Sequence, residues 1–234
     1  MASKRRFADR LPTPGKLRAD SAFIKRICLV EKRRGAWTVL RTIVTINGPA
    51  DMTTAYLGLG SNQGARAKHL QGGVDRLHAA DGVRVMAVSP VYETEAHTVG
   101  PEETQPAFLN AVVEIETTCS PEALLRNAQA VEEVEGRTRS AERRWSPRPL
   151  DVDLLAVGEE QRSTTTLTLP HPRLVQRRFV LRPWADLAPN FKVPPPFDRQ
   201  VSALLAACSD SAALAPAAVA LTVPPRPGPA RGGR

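Results

Sequence analysis

The stretch AFLNAVVEIETTCSPEALLRNAQAVEEVEG, residues 107–136, decides the fold. Residues 107–117 alternate and are rich in branched side chains, the signature of a strand with one buried face. Ser120-Pro121 then gives an N-cap with proline at the first helical position. The spacing predicts a helix over about 121–135, with Leu124, Ala128, Val131 and either Val134 or Glu135 on its inner side. Gly136 is placed to end it.

Working toward the N-terminus, VRVMAVSPVYET (83–94) alternates as far as Pro90 and continues as an extended segment. AHTVGPEETQP (96–106) has loop composition. NQGARAKHLQGGVDRLHAA (62–80) sets Leu70, Val74 and Leu77 on one helical stripe, which the Gly72-Gly73 pair weakens. TAYLGLG (54–60) is a short strand ending in glycines. Toward the C-terminus, GRTRSAERRWSPRP (136–149) is a basic loop, and 150–157 is a strand. Residues 164–181 give a strand, a proline-bounded turn and a short helical or irregular piece; QVSALLAAC (200–208) is a short helix. The order strand, helix, strand, strand, helix, strand predicts an α+β fold. It is a ferredoxin-like sandwich with helices on one face of a mainly antiparallel sheet.

The 234 residues, 42% of them apolar, suffice for one domain with a sizeable core. No run of eighteen apolar residues occurs, so no membrane-spanning helix is expected. Cys28, Cys119 and Cys208 have neither metal spacing nor a disulfide pattern, which points to a reducing, cytoplasmic setting. Residues 1–50 hold twelve Lys/Arg against three acids and account for the net charge of +8. The basicity thus belongs to residues 1–51, read as an extension. Within it AFIKRICLV and WTVLRTIVTI read either as short strands or as weakly ordered segments, and the whole reads as a disordered appendage or as a start that belongs at Met52. Residues 52–208 form the folded domain, and the Ala/Pro/Gly-rich residues 209–234 read as a disordered tail.

Within LDVDLL (150–155), Asp151 and Asp153 share one face of a strand while Val152 and Leu154 point into a core. Ionised carboxylates are costly to bury unpaired. Two readings meet that constraint: an oxygen site for Mg²⁺, completed by water and phosphates, or Asp–Arg pairs on a solvated edge. Arg137, Arg139, Arg143, Arg144 and Arg148 crowd the preceding loop, and Arg173, Arg177 and Arg178 follow the next strand. Two arginine groups flanking an Asp-x-Asp pair suit a Mg²⁺–polyphosphate substrate. No GxxxxGK[ST] motif occurs. GLGSNQG (58–64) is only loosely like a phosphate loop. His171, between two prolines, is either a phosphate donor or a turn residue; His97, His69 and His78 read as surface or structural residues. Competing functions are another Mg²⁺-dependent nucleotidyl or phosphoryl transferase, and a basic nucleic-acid-binding module. The acidic balance of the chain between its two basic ends argues against nucleic acid as a partner.

In order, GLGSNQG, VSPVYET, QPAFLNAVVEIET, VEEVEGRTR, RWSPRPLDVDLL and LPHPRLVQRRFVL resemble the 6-hydroxymethyl-7,8-dihydropterin pyrophosphokinase family over about residues 55–205. The resemblance implies a monomeric, ferredoxin-like enzyme of folate biosynthesis. Such an enzyme uses ATP with two Mg²⁺ and moves a pyrophosphoryl group to the pterin hydroxymethyl, releasing AMP. It implies that Asp151 and Asp153 hold the magnesium ions. Phe108 and Phe179 would sandwich the pterin, with Asn110 on its polar edge and Thr94 beside it. It further implies that Gln129, Glu132, Arg139, Arg148, His171 and Arg177 contact ATP, Arg139 and Arg148 also serving catalysis. Ser146, Glu95 and the long basic run before Trp145 depart from the family pattern and bear on loop closure and rate.

Overall fold

The computed structural model describes residues 24–33, 36–46, 52–95, 105–137 and 147–225. The chain divides into two compact units at Met52. In the first, β1 (Ile24–Arg33) and β2 (Ala36–Ile46) form an antiparallel pair from Ile24↔Ile46 to Arg33↔Ala36, with an irregularity between Leu29 and Val30.

The second unit begins with β3 (Thr53–Ser61), α1 (Arg66–Ala79), β4 (Val83–Val88), β5 (Tyr92–Thr94) and β6 (Phe108–Thr117). It continues with α2 (Pro121–Val134), β7 (Asp151–Val157), β8 (Arg162–Ser163) and β9 (Thr168–Leu169), then a 3-10 turn at Leu174–Gln176. α3 (Arg178–Leu187), β10 (Lys192–Val193), β11 (Arg199–Gln200), α4 (Val201–Ala206) and β12 (Leu214–Pro216) complete it. One six-stranded sheet runs β12-β5-β6-β3-β7, with β4 also on β6, and every pairing in it is antiparallel.

The expected α+β sandwich is present. Leu70, Val74 and Leu77 of α1 and Leu124, Ala128 and Val131 of α2 pack with Leu57, Leu59, Val113 and Ile115 on one face. Ser120 caps α2 as its motif predicts, its Oγ accepting from Ala123 N at 3.3 Å, and Gly136 beyond the end has φ +95°. The Gly72-Gly73 pair permits close packing: an added Cβ would fall 2.4 Å from Glu135 Oε1 at Gly72 and 3.0 Å from Leu150 Cδ2 at Gly73.

Helices on a single face prove too few. α3 and α4 cover the other face, where Trp184 is fully buried against Tyr56 (ring centroids 5.2 Å apart) and Phe191 (5.7 Å). α3 is a ten-residue helix with Pro183 inside it, so of the two readings left open for this stretch, short helical or irregular, the helical one holds and runs on to Leu187. Its short apolar period, with Val180, Leu181 and Trp184 buried, is hard to distinguish from a turn without the sheet beneath it. The disordered tail is also corrected in part. Leu214–Pro216 adds as an edge strand to β5, since backbone pairing makes little demand on side-chain hydrophobicity.

Candidate active site

The cleft lies on the α3 side of the sheet, and its floor is made by what β3 lacks. Register pairs Gly60 with Asn110 on one side and Asp151 on the other, and Gly58 with Asp153. Side chains at i and i+2 share a face, so the two bare glycines separate Phe108 and Asn110 from Asp151 and Asp153. A Cβ added at Gly60 would stand 3.3 Å from Asn110 Oδ1 and 3.8 Å from Phe108 Cδ1. The glycines of GLGSNQG thus serve mainly as strand floor; Gly64, with φ +64°, makes the turn into α1.

Eight predicted residues line this cleft together: Thr94, Phe108, Asn110, Arg148, Asp151, Asp153, Arg177 and Phe179. Asn110 Nδ2 donates to Thr94 Oγ1 at 2.8 Å, both side chains being buried. That bond fixes the amide on one wall. Phe179 sits at the start of α3, with the Arg177 guanidinium 5.7 Å from its ring centre.

The carboxylates are held by arginines. Arg137 Nη1 lies 2.5 Å from Asp151 Oδ1, Arg148 Nη2 is 3.4 Å from Asp151 Oδ2, and Arg177 Nη1 is 3.0 Å from Asp153 Oδ2. The Asp–Arg reading is therefore realised in the fold. It does not exhaust the site, because Arg148 Nε is buried with no hydrogen-bond partner among the described residues. A buried donor of this kind is suited to an oxyanion.

α2 approaches from behind. Glu132 is 3% exposed, its Oε1 accepts from Val152 N at 2.8 Å, and it also pairs with Arg137. Glu132 thus braces both β7 and the arginine on Asp151. Gln129 lies one turn earlier and is half-buried. His171 lines a neighbouring groove with Asp153, Thr164 and Thr166. Burial lowers its pKa, Asp153 opposing the shift. Its Nδ1 accepts from Arg173 N at 3.2 Å, which leaves the Nε2 hydrogen free to donate. Arg139 falls outside the described residues, as do Arg143, Arg144, Trp145, Ser146 and His97.

Asn62 is a residue that sequence reasoning passed over. It is 1% exposed; its Oδ1 accepts from Arg148 N at 2.8 Å, and its own N–H donates to Arg148 O at 3.2 Å. Its Nδ2 reaches Pro106 O at 3.4 Å. It thereby links the backbone entering the Phe108 wall to the backbone carrying Arg148. No spacing rule marks it, since both partners are distant in sequence. Arg137 was visible in the arginine run, but its bond to Asp151 needed the fold.

A family model for 7,8-dihydro-6-hydroxymethylpterin-pyrophosphokinase (HPPK) matches residues 56–189. The chain is 44% identical over 142 residues to a Methylorubrum extorquens 2-amino-4-hydroxy-6-hydroxymethyldihydropteridine pyrophosphokinase, covering 61% of this chain and 87% of that protein. It is 45% identical over 133 residues to the Bacillus subtilis protein of the same name, covering 57% and 77% respectively. The crystal structure of Plasmodium falciparum HPPK-DHPS wild type with pteroate aligns with TM-score 0.53 and 13% identity. That alignment covers 69% of this chain and only 43% of the longer one, and it bears on the fold alone.

Proposed function

The chain belongs to the 7,8-dihydro-6-hydroxymethylpterin-pyrophosphokinase family, and on that premise we propose that it transfers pyrophosphate from ATP to 6-hydroxymethyl-7,8-dihydropterin in folate biosynthesis. The hydroxymethyl oxygen gives up its proton to solvent and forms a bond to the β-phosphorus, the bond from that phosphorus to the α–β bridging oxygen breaks, and AMP leaves with the bridging oxygen. The observation that carries this reading is one cleft in which a carboxylate pair with arginines faces an aromatic and amide wall across a glycine floor. We take residues 52–222 as the catalytic domain, acting as a cytoplasmic monomer. No helix among the described residues is long and apolar enough to cross a membrane.

Phe108 and Phe179 supply flat apolar surfaces for the pterin ring. The Asn110 amide, oriented by Thr94, matches the ring's polar edge. Asp151 and Asp153, both lining the cleft, are the two carboxylates that would hold a metal ion there. Two convergent carboxylates fit Mg²⁺, which takes its remaining oxygens from water and phosphates. When bound there, Mg²⁺ supplies polarisation of the phosphate oxygens and offsets their charge. Two ions are consistent with the pair.

The arginines paired with Asp151 and Asp153 would be suited to phosphate were a cation held by the carboxylates, so that each charge of the cleft keeps a counter-charge. Arg148 offers its unpartnered Nε in the same place. Gln129, the oriented Nε2–H of His171, and Arg139 would contact the nucleotide. Glu132 acts on it through Arg137 and the Val152 amide, since Oε1 is committed to both.

The decisive experiment mixes the protein with ATP, Mg²⁺ and hydroxymethyldihydropterin and identifies the nucleotide formed. AMP in a one-to-one ratio with pterin diphosphate is the expected result. ADP would mean an ordinary phosphoryl transferase and would refute the reading.

A further inference from the structure

Residues 209–222 lie beyond the matched family region, and their composition predicts disorder, yet they are anchored at three places. First, Asp210 Oδ2 accepts from Arg178 N at 2.9 Å and its Oδ1 accepts from Ala212 N at 3.0 Å. Arg178 is the first residue of α3, whose N-cap Arg177 makes no side-chain cap bond. The first N–H groups of a helix have no partner within it and favour a negative group. A carboxylate 32 residues away in sequence therefore does the work a cap residue would.

Second, β12 pairs with β5, Leu214 opposite Thr94 and Pro216 opposite Tyr92, and Ala217 N donates to Val91 O at 2.9 Å. Third, Thr222 N donates to Gln71 Oε1 at 2.9 Å while Gln71 Nε2 donates to Thr222 O at 3.0 Å, with Ala217 and Leu221 packed on the α1-side core. The first two anchors fall on elements that carry cleft residues. The first turn of α3 holds Phe179 and follows Arg177; β5 ends at Thr94.

We propose that Asp210 is a positioning residue for the pterin slot: it pins the first turn of α3, and so Phe179 and Arg177, while β12 pins Thr94 on the facing wall. Without the carboxylate the Arg178 N–H loses its partner, the first turn frays, and Phe179 spends part of its time away from the slot. The inference rests on the reading of the cleft given above.

The test uses the full chain with Asp210→Ala and Asp210→Asn, because asparagine keeps a capping acceptor. Asp210→Ala should raise the pterin KM roughly fivefold, the equivalent of a cap worth about 1 kcal/mol. It should leave kcat nearly unchanged, raise the ATP KM by no more than a similar factor through Arg177, and speed hydrogen exchange at Arg178 by about the same amount. Asp210→Asn should restore both readouts to within about twofold of the parent. Unchanged exchange in the alanine variant would overturn the proposal. So would faster exchange with an unmoved pterin KM, or equal damage from asparagine. Exchange is read without substrate, so it reports on the brace even if the product assay gives ADP.

Discussion

On one face of the sheet β3 presents Ala55, Leu57 and Leu59 to α1 and α2; on the other it presents Tyr56, then Gly58 and Gly60, toward α3. The first face is closed by interlocking branched side chains, all nearly or fully buried. The second is closed only at one end, by Tyr56, Trp184 and Phe191, and opens where the glycines begin. The same strand thus builds a core and a cleft, and the difference is two missing side chains. Stability resides on the packed face, and the proposed chemistry on the bare one.

That division can be broken from either side. The largest effect should come from Asp151→Ala on the bare face: AMP formation falls on the order of 10³-fold, the loss expected for a principal electrostatic contact to the transferring group. Circular dichroism would check that the fold survives, and a variant with normal turnover would refute the site. Leu57→Ala on the packed face should do the reverse. It should cost about 3 kcal/mol of stability by urea unfolding, while the KM for either substrate stays near the parent value. A large KM change there would show that the two faces are not separable.

Gly60→Val tests the floor itself. Its Cβ meets Asn110 Oδ1 at 3.3 Å, and the added methyls intrude on the slot. Pterin binding, followed by fluorescence titration, should weaken by roughly ten- to a hundredfold, the equivalent of about 1–3 kcal/mol of overpacking. ATP binding should change less.

The smallest effect concerns the closed end of the cleft face. Burial, reinforced by the Glu114 carboxylate, pushes the Tyr56 pKa up to about 12. Burial and Asp186 also raise that of Tyr92, the other tyrosine of the chain. An unfolded tyrosine loses its proton near pH 10. Between pH 10 and 12 the unfolded state therefore binds fewer protons than the folded state, and stability falls as pH rises through that window. Absorbance at 295 nm should show less than half of the tyrosines ionised at pH 10. Tyr56→Phe should remove the later step; early ionisation of both would contradict their burial.

The sequence by itself determined the elements that rest on local rules. The alternation of 107–117, the Ser120-Pro121 cap and the Leu70, Val74, Leu77 stripe each depend on neighbours a few residues apart, and each stands in the structure. The split character of 150–155 was legible for the same reason, because a period of two separates Asp151 and Asp153 from Val152 and Leu154. The likeness to a known family suggested roles for the aromatic and arginine residues that spacing left open. Only the tertiary structure decided that Gly58 and Gly60 are a floor, that Glu132 braces Arg137, that Asn62 links two distant backbones, and that Asp210 caps α3. Each of these is a contact between residues far apart in the chain, and only packing brings them within hydrogen-bond reach. The same reason explains β12: its short, small-residue sequence carries no strand pattern of its own, and the open edge of β5 gives it one.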